Sequence, residues 1–399
     1  MLILTLLSLL FFPLGALFLS FIGIPLTKNK YSRIIYCLII ATVMSLIAFF
    51  YEPSQSYDLF RIFERANWMK ESNLTRIIEI FGSGLEIGFN LSIFIIIKLF
   101  SKHSISAIFT FIGMFLACYV ISDYSLRKNI SRMQTFLTFV IFFLSFQHMY
   151  LISGIRNFVS FIFIFFLIYI EKIQKKESLI THLLYLVPLL FHSSMIVFLF
   201  FRILLQFKNK IIDKMVYIIS IAALVAPPIL LFVLSFFKSN AIILTIYNKL
   251  NSYLSYDTSH FYTFMILLAL FIQLAVYIYI YFKVKKGNIN DNLKLNESFY
   301  TYLKWMLLLG FGVIRYGVLL DRVLVLLSCL TIVLIIDYFK HLSNFKRENR
   351  FLCICIPLAM SLLLFRNQFH NYHTEIDDSI NMVAKVNILN FEEMSENYD

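Results

Sequence analysis

Apolar residues dominate this chain in runs of roughly 15 to 25, the length a helix needs to cross a hydrocarbon core. In lipid every backbone donor and acceptor must be satisfied within its own segment, so such runs predict helices. The first covers Leu2 to Phe21 and the second Ile34 to Tyr51. The opening run lacks a basic start and a small-residue cleavage site, which predicts a first span rather than a removable leader. Further runs end at Phe100 and cover Ile105 to Ile121, Phe136 to Phe146, Phe158 to Ile170, Leu179 to Phe207 and Ile211 to Phe237. Later ones cover Phe261 to Phe282, Tyr302 to Ile314, Val323 to Phe339 and Phe351 to Phe365. Pro188 and Pro227-Pro228 predict kinks.

The stretch 57–81 follows another rule. Leu59, Ile62, Phe63, Ala66 and Met69 recur at helical spacing opposite Arg61, Glu64 and Arg65, the pattern of an amphipathic helix lying on the outer membrane surface. A short helix packed on neighbouring loops would show the same pattern. The predicted fold is therefore all-α, a polytopic integral membrane helical bundle of roughly 11–13 transmembrane or re-entrant segments. Residues 1–365 form one membrane domain in this scheme, and 366–399 form a C-terminal tail. The tail holds seven acidic residues against two basic ones, which suits the periplasmic side.

Lysine and arginine positions set the orientation. Lys28, Lys30 and Arg33 place the first loop in the cytoplasm, and the lysines at 208–214, 283–286 and 340–346 do the same for later loops. Between Phe81 and Ser153 an even number of crossings is required if Asp58, Arg156 and His192 all face outward, yet three apolar runs occur. One of them is then re-entrant or half-spanning. Leu179 to Phe207 becomes a hairpin of two short helices with His192 near its outward tip. The alternative, one long kinked span over that stretch, would put Arg156 inside.

Composition narrows the function classes. The chain is 60% hydrophobic and 15% charged with a mean hydropathy of +0.80, which excludes a soluble domain. Its net charge of +12 is scattered through short loops, so it marks cytoplasmic loops and not a nucleic-acid surface. Cys37, Cys118, Cys329, Cys353 and Cys355 lie within apolar runs, where no disulfide framework forms. Phosphate-cradling, dinucleotide-binding and zinc-protease motifs are missing, which argues against ATP-driven transport and zinc proteolysis. His370-x-x-His373 has a metal-like spacing, but it sits in the acidic tail and is read as solvated; no metal or cofactor is expected.

What remains is a set of charged residues at span ends: Asp58, Glu86, Arg156, His192, Arg315, Asp321 and Arg322. An arginine inside lipid costs about 3 kcal/mol and so marks a functional site or an ion pair. Guanidinium binds phosphate bidentately and stabilises charge on a pyrophosphate leaving group, while a nearby acid or histidine can take the proton of an attacking hydroxyl. Each residue also has a bland role. Arg322 can pair with Asp321, Glu86 can pair with Lys98 or cap a helix, and His192 can satisfy a carbonyl. Only the set argues for an anionic substrate.

The order of these features resembles the EpsG family of Wzy-like bacterial polysaccharide polymerases. The similarity is carried by the polar Tyr57-Asp58 loop, by Glu86-Ile87-Gly88-Phe89 (similar to Glu-Pro-Gly-Phe), by Gly154-Ile155-Arg156-Asn157-Phe158 (similar to an Arg-Gln element), by Phe191-His192-Ser193-Ser194 (similar to Phe-His-x-Ser) and by Asp321-Arg322. Ile87 and Asn157 depart from that pattern. The resemblance implies transfer of oligosaccharide repeat units between undecaprenyl pyrophosphate carriers at the periplasmic face of the inner membrane, without nucleotide sugar or metal, as in O-antigen or capsule synthesis. It implies lipid-linked donor and acceptor as partners, together with membrane lipid and a chain-length regulator protein. Arg156, Arg322 and Arg315 then grip the donor pyrophosphate, and Asp58, Glu86 or His192 serves as base or positions the acceptor. A lipid-linked oligosaccharide flippase and a membrane O-acetyltransferase using His192 remain as alternatives.

Overall fold

The computed structural model describes residues 1–55, 57–82, 86–236, 297–314, 316–341 and 373–387, with scattered positions within 244–278 and 390–394. The described residues are helical, with no strand among them. Three of the described helices, Lys30–Phe49, His103–Arg127 and Val323–Lys340, are long and apolar enough to cross a membrane, and shorter apolar helices accompany them. The protein is an all-α integral membrane protein. It divides into two compact units, Met1–Ile196 with Ile332–Asp399, and Val197–Thr331.

In the first unit the opening run is two helices, α1 (Leu2–Phe11) and α2 (Pro13–Leu26), not one. Pro13 cannot donate to the preceding turn and drives its neighbour out of the helical region, and Phe12 is accordingly at φ −151°. α3 (Lys30–Phe49) starts at Asn29, whose side chain accepts from the Tyr31 and Ser32 amides. Antiparallel to it lies α7 (His103–Arg127): Ser45 donates to the Ala107 carbonyl near one end, and Arg33 donates to the Ser122 carbonyl near the other.

α8 (Arg132–Ser145) begins with a capping box of Ser131 and Gln134. α9 (His148–Ser153) turns the chain over, and α10 (Ile155–Ile168) returns along α7, ending in a π-helical turn at Tyr169–Ile173. Ser106 bonded to the Ile152 carbonyl and Tyr169 bonded to Asp123 fix α10 parallel to α7. His148 holds the turn, with Nε2 2.7 Å from the Phe143 carbonyl.

One end of this unit holds three buried acids, each paired with a basic side chain. Asp123 accepts from Arg127 (2.6 Å), Tyr169 (2.6 Å) and Gln174 (2.9 Å). Asp337 accepts from Tyr124 and Lys128, each at 2.7 Å, and Glu171 accepts from Tyr185 and Lys172. An Asp123→Ala variant strands three donors there. At about 1–3 kcal/mol for each buried group left unpaired, it should unfold at a clearly lower temperature in detergent; an unchanged midpoint would show the network to be idle. The C-terminal helix His373–Lys385 lies at the opposite, Phe49 end of α3, with Ser379 donating to the Phe50 carbonyl.

The amphipathic stretch is also two helices, α4 (Asp58–Glu71) and α5 (Leu74–Phe81). Asn73 stops the first and caps the second by accepting from the Arg76 amide. The five apolar positions of the amphipathic pattern on α4 are all buried, while Leu74, Ile78 and Ile80 on α5 are exposed. α6 (Ile87–Leu99) has 13 residues, about 20 Å, against a core about 30 Å thick. α8 and α10, with 14 residues each, are nearly as short. The 179–207 run breaks into α11 (Leu179–Leu184), α12 (Leu186–Phe191) and α13 (Met195–Gln206), with His192 extended at φ −151°, so it is not one kinked span.

In the second unit, helices Lys210–Ser235 and Glu297–Gly312 are joined through Asp213, which accepts from Trp305 and Lys304 at 2.8 Å. The expected run 351–365 lies outside the described residues, as does most of 261–282.

Candidate active site

Four of the six expected site residues meet in the first unit, around Glu86. Its Oε2 accepts from Arg156 NH1 at 2.5 Å, and its Oε1 accepts from His192 Nδ1 at 3.1 Å. Asp58 Oδ2 stands 3.7 Å from Arg156 NH2, and its other oxygen is 3.4 Å from Arg61. Each member sits where a helix begins or ends. Asp58 opens α4, Glu86 precedes the first residue of α6, Arg156 lies in the first turn of α10, and His192 follows the last residue of α12. Three helix starts contribute their partial positive charge, which favours anions.

The approach that joins Glu86 to His192 depends on a missing side chain. A Cβ on Gly88 would stand 2.8 Å from the Leu190 Cβ and 3.2 Å from its carbonyl oxygen, so α6 reaches α12 only with glycine there. Phe89, Phe109 and Phe191 pack on one another next to this contact, with ring centroids 5.6–6.1 Å apart. A Gly88→Val variant forces the helices apart at about 1–3 kcal/mol of strain. The unfolding temperature in detergent should drop clearly; an unchanged midpoint would refute the tight approach.

Burial pushes the Glu86 carboxyl up, but the His192 hydrogen bond and the Arg156 charge outweigh it and hold the group at about 2. Glu86 is thus a carboxylate at neutral pH and a poor proton acceptor. Its folded value lies below the ordinary 4.5, so it adds stability above that pH and loses the contribution as the pH falls toward 2. On acidification below about 4.5 the unfolding temperature of the wild type should fall more steeply than that of Glu86→Gln. Parallel curves would contradict the coupling.

With Glu86 accepting from Nδ1, a neutral His192 carries its proton on that nitrogen and keeps Nε2 as the basic one. His192 is 5% exposed. Arg156 holds a planar cation beside it, and together they can bind an anion and receive a proton. Among the described residues no group of three or more His, Cys, Asp or Glu is placed to hold a metal ion.

Two further residues belong to the cluster and were not expected. Arg65 NH1 donates to Asn90 Oδ1 at 2.9 Å, and Asn90 Nδ2 donates to the Glu86 carbonyl at 3.1 Å. Burial lowers the Arg65 guanidinium pKa and the neighbouring Arg156 charge adds to this, while Asp58 and Glu86 oppose it. Spacing held the signal: Arg65 is two helical turns after Asp58, and Asn90 is one turn after Glu86. Arg315 lies outside the described residues, and the helix Gly317–His341 carries Arg322 and Asp321, whose side chains also lie outside them.

The site lies at the end of the first unit away from Arg33, Asp123, Lys128 and Lys172, because α10 runs from Arg156 toward Tyr169 and Asp123. No curated protein and no solved structure gives a significant match to the chain. The model of the EpsG family matches residues 33–379, a range that includes every residue of the cluster. The chain belongs to the EpsG family, a family of Wzy-like polysaccharide-polymerase-type membrane proteins.

Proposed function

We propose that this protein is a glycosyltransferase that lengthens a polysaccharide by joining undecaprenyl-pyrophosphate-linked repeat units at the periplasmic face of the bacterial inner membrane. The observation that carries this is one glutamate joining Arg156 and His192, which stand 70 and 106 residues from it in the chain. The outward orientation rests on the positive-inside reading of the loop lysines at 28–30, 208–214, 283–286 and 340–346.

The donor sugar brings its own leaving group, so no nucleotide sugar is needed. Arg156, fixed by Glu86, binds the pyrophosphate and stabilises the charge that grows on it as the anomeric C–O bond breaks. His192 Nε2 takes the proton of the acceptor hydroxyl as that oxygen bonds to the anomeric carbon. Glu86 orients the imidazole and is not itself the base, since its proton affinity is too low. Arg322 and Arg315 are phosphate-binding candidates on the family resemblance alone, and membrane lipid and a chain-length regulator complete the partners. The product is a chain longer by the transferred sugars, with undecaprenyl pyrophosphate released.

The test is complementation of a strain that lacks its polymerase. Wild-type protein should restore a ladder of chain lengths, while Arg156→Ala and His192→Ala should leave single repeats. Normal ladders from well-folded, membrane-inserted versions of both variants would overturn the assignment.

A further inference from the structure

The chemistry above uses Arg156, Glu86 and His192 and gives no task to Asp58 or Arg65. Arg156 is anchored through NH1 alone. Its NH2 meets Asp58 at 3.7 Å, beyond hydrogen-bond reach. Its Nε–H is buried and has no hydrogen-bond partner among the described residues. Nε and NH2 form the edge of a guanidinium that takes two oxygens of one phosphate. Here that edge holds an orphaned donor and one loosely placed carboxylate. A buried donor left unpaired is unfavourable and calls for an explanation; a ligand that supplies the missing acceptor is one.

Arg65 is the second observation. It is held through Asn90, which is 4% exposed and is tied to the backbone carbonyl of the same Glu86 that grips Arg156. Two guanidinium groups are thereby anchored on one residue, one through its side chain and one through its main chain. They are near enough to repel. Among the described residues Arg61, Arg65 and Arg156 are set against Asp58 and Glu86, so these carry surplus positive charge even before His192 is counted. A pyrophosphate would supply the missing negative charge and the missing acceptor together.

We propose that Arg65 is a second phosphate-binding residue and that Asp58 is an exchangeable counter-ion, so that the donor's pyrophosphate displaces Asp58 from the Nε–NH2 edge of Arg156 and is shared with Arg65. Arg61, already 3.4 Å from Asp58, receives the displaced carboxylate. This rests on the reading of the cluster as a pyrophosphate site. Asp58 then competes with substrate and is not a base.

Farnesyl pyrophosphate is a soluble probe for this, titrated into the purified full-length protein in detergent micelles. Arg65→Ala should weaken binding by about tenfold or more, which corresponds to losing one charge-assisted contact. Arg65→Lys should recover part of that, and Asp58→Asn should tighten binding several-fold. Farnesol, which lacks the anion, should not distinguish the variants; the same ranking with farnesol would overturn the proposal. If Arg156→Ala abolishes binding while Arg65→Ala and Asp58→Asn match wild type, the proposal fails and the site reading stands. If Arg156→Ala binds like wild type, the site reading itself fails. Should Arg65→Ala not fold, Asp58→Asn decides: unchanged or weaker binding overturns the proposal.

Discussion

A Glu86→Gln variant should reach the membrane, fold, and make almost no polymer. The substitution keeps shape and removes one charge, yet it undoes both arms of the cluster. Arg156 loses a charge-assisted hydrogen bond of 2.5 Å, and the half-buried guanidinium is left with Asp58 as its nearest carboxylate, 3.7 Å away. His192 loses an acceptor that admits only Nδ1–H. An amide can present its NH₂ there instead, which stabilises the tautomer whose Nε2 carries the proton and cannot accept another. Placing a catalytic imidazole in the wrong tautomer lowers rates by about 10⁴, and losing one charge-stabilising donor by about 10²–10³. The expected fall in polymerisation rate is on the order of 10³ or more. Initial rates with lipid-linked repeats, read beside thermal unfolding, check this. A Glu86→Gln enzyme within tenfold of wild type would show that the carboxylate does not organise the site.

Arg156→Lys is the second large effect, and it separates charge from geometry. Lysine keeps the positive charge but offers one compact ammonium in place of a planar fork. In the structure Nη1 is committed to Glu86, which leaves the Nε–Nη2 edge for the proposed phosphate. One ammonium cannot hold both. We expect the rate to fall by about 10²–10³, with Arg156→Ala lower still. Near-normal rates for the lysine variant would mean that a point charge suffices, and the fork account would be wrong.

Much of this arrangement was legible in the chain. Asp58, Glu86, Arg156 and His192 stand out because charged groups at the ends of apolar runs need partners. Their mutual contact was not legible, because it depends on how closely α6 can approach Leu190, and nothing local announces that Gly88 permits it. The bland pairing of Glu86 with Lys98 does not occur: the Lys98 ammonium donates to the Lys70 carbonyl. Arg65 was hidden among the polar positions of an amphipathic helix, and Asn90 lay one turn inside an apolar run. Hydropathy ended the run in α7 at Ile121, but the helix continues to Arg127 because Asp123 finds Tyr169 and Gln174 far along the chain. The helix break before Pro13 and the restart at Asn73 follow residue types that could have been read directly.

The central claim is that this cluster joins lipid-linked repeats unaided by nucleotide sugar. Its most direct test is purified protein in proteoliposomes supplied with the undecaprenyl-pyrophosphate-linked repeat unit alone. Wild type should yield products of increasing repeat number with matched release of undecaprenyl pyrophosphate, and Arg156→Ala and His192→Ala should yield neither. No polymer from the wild type, or equal ladders from the two variants, would contradict the account.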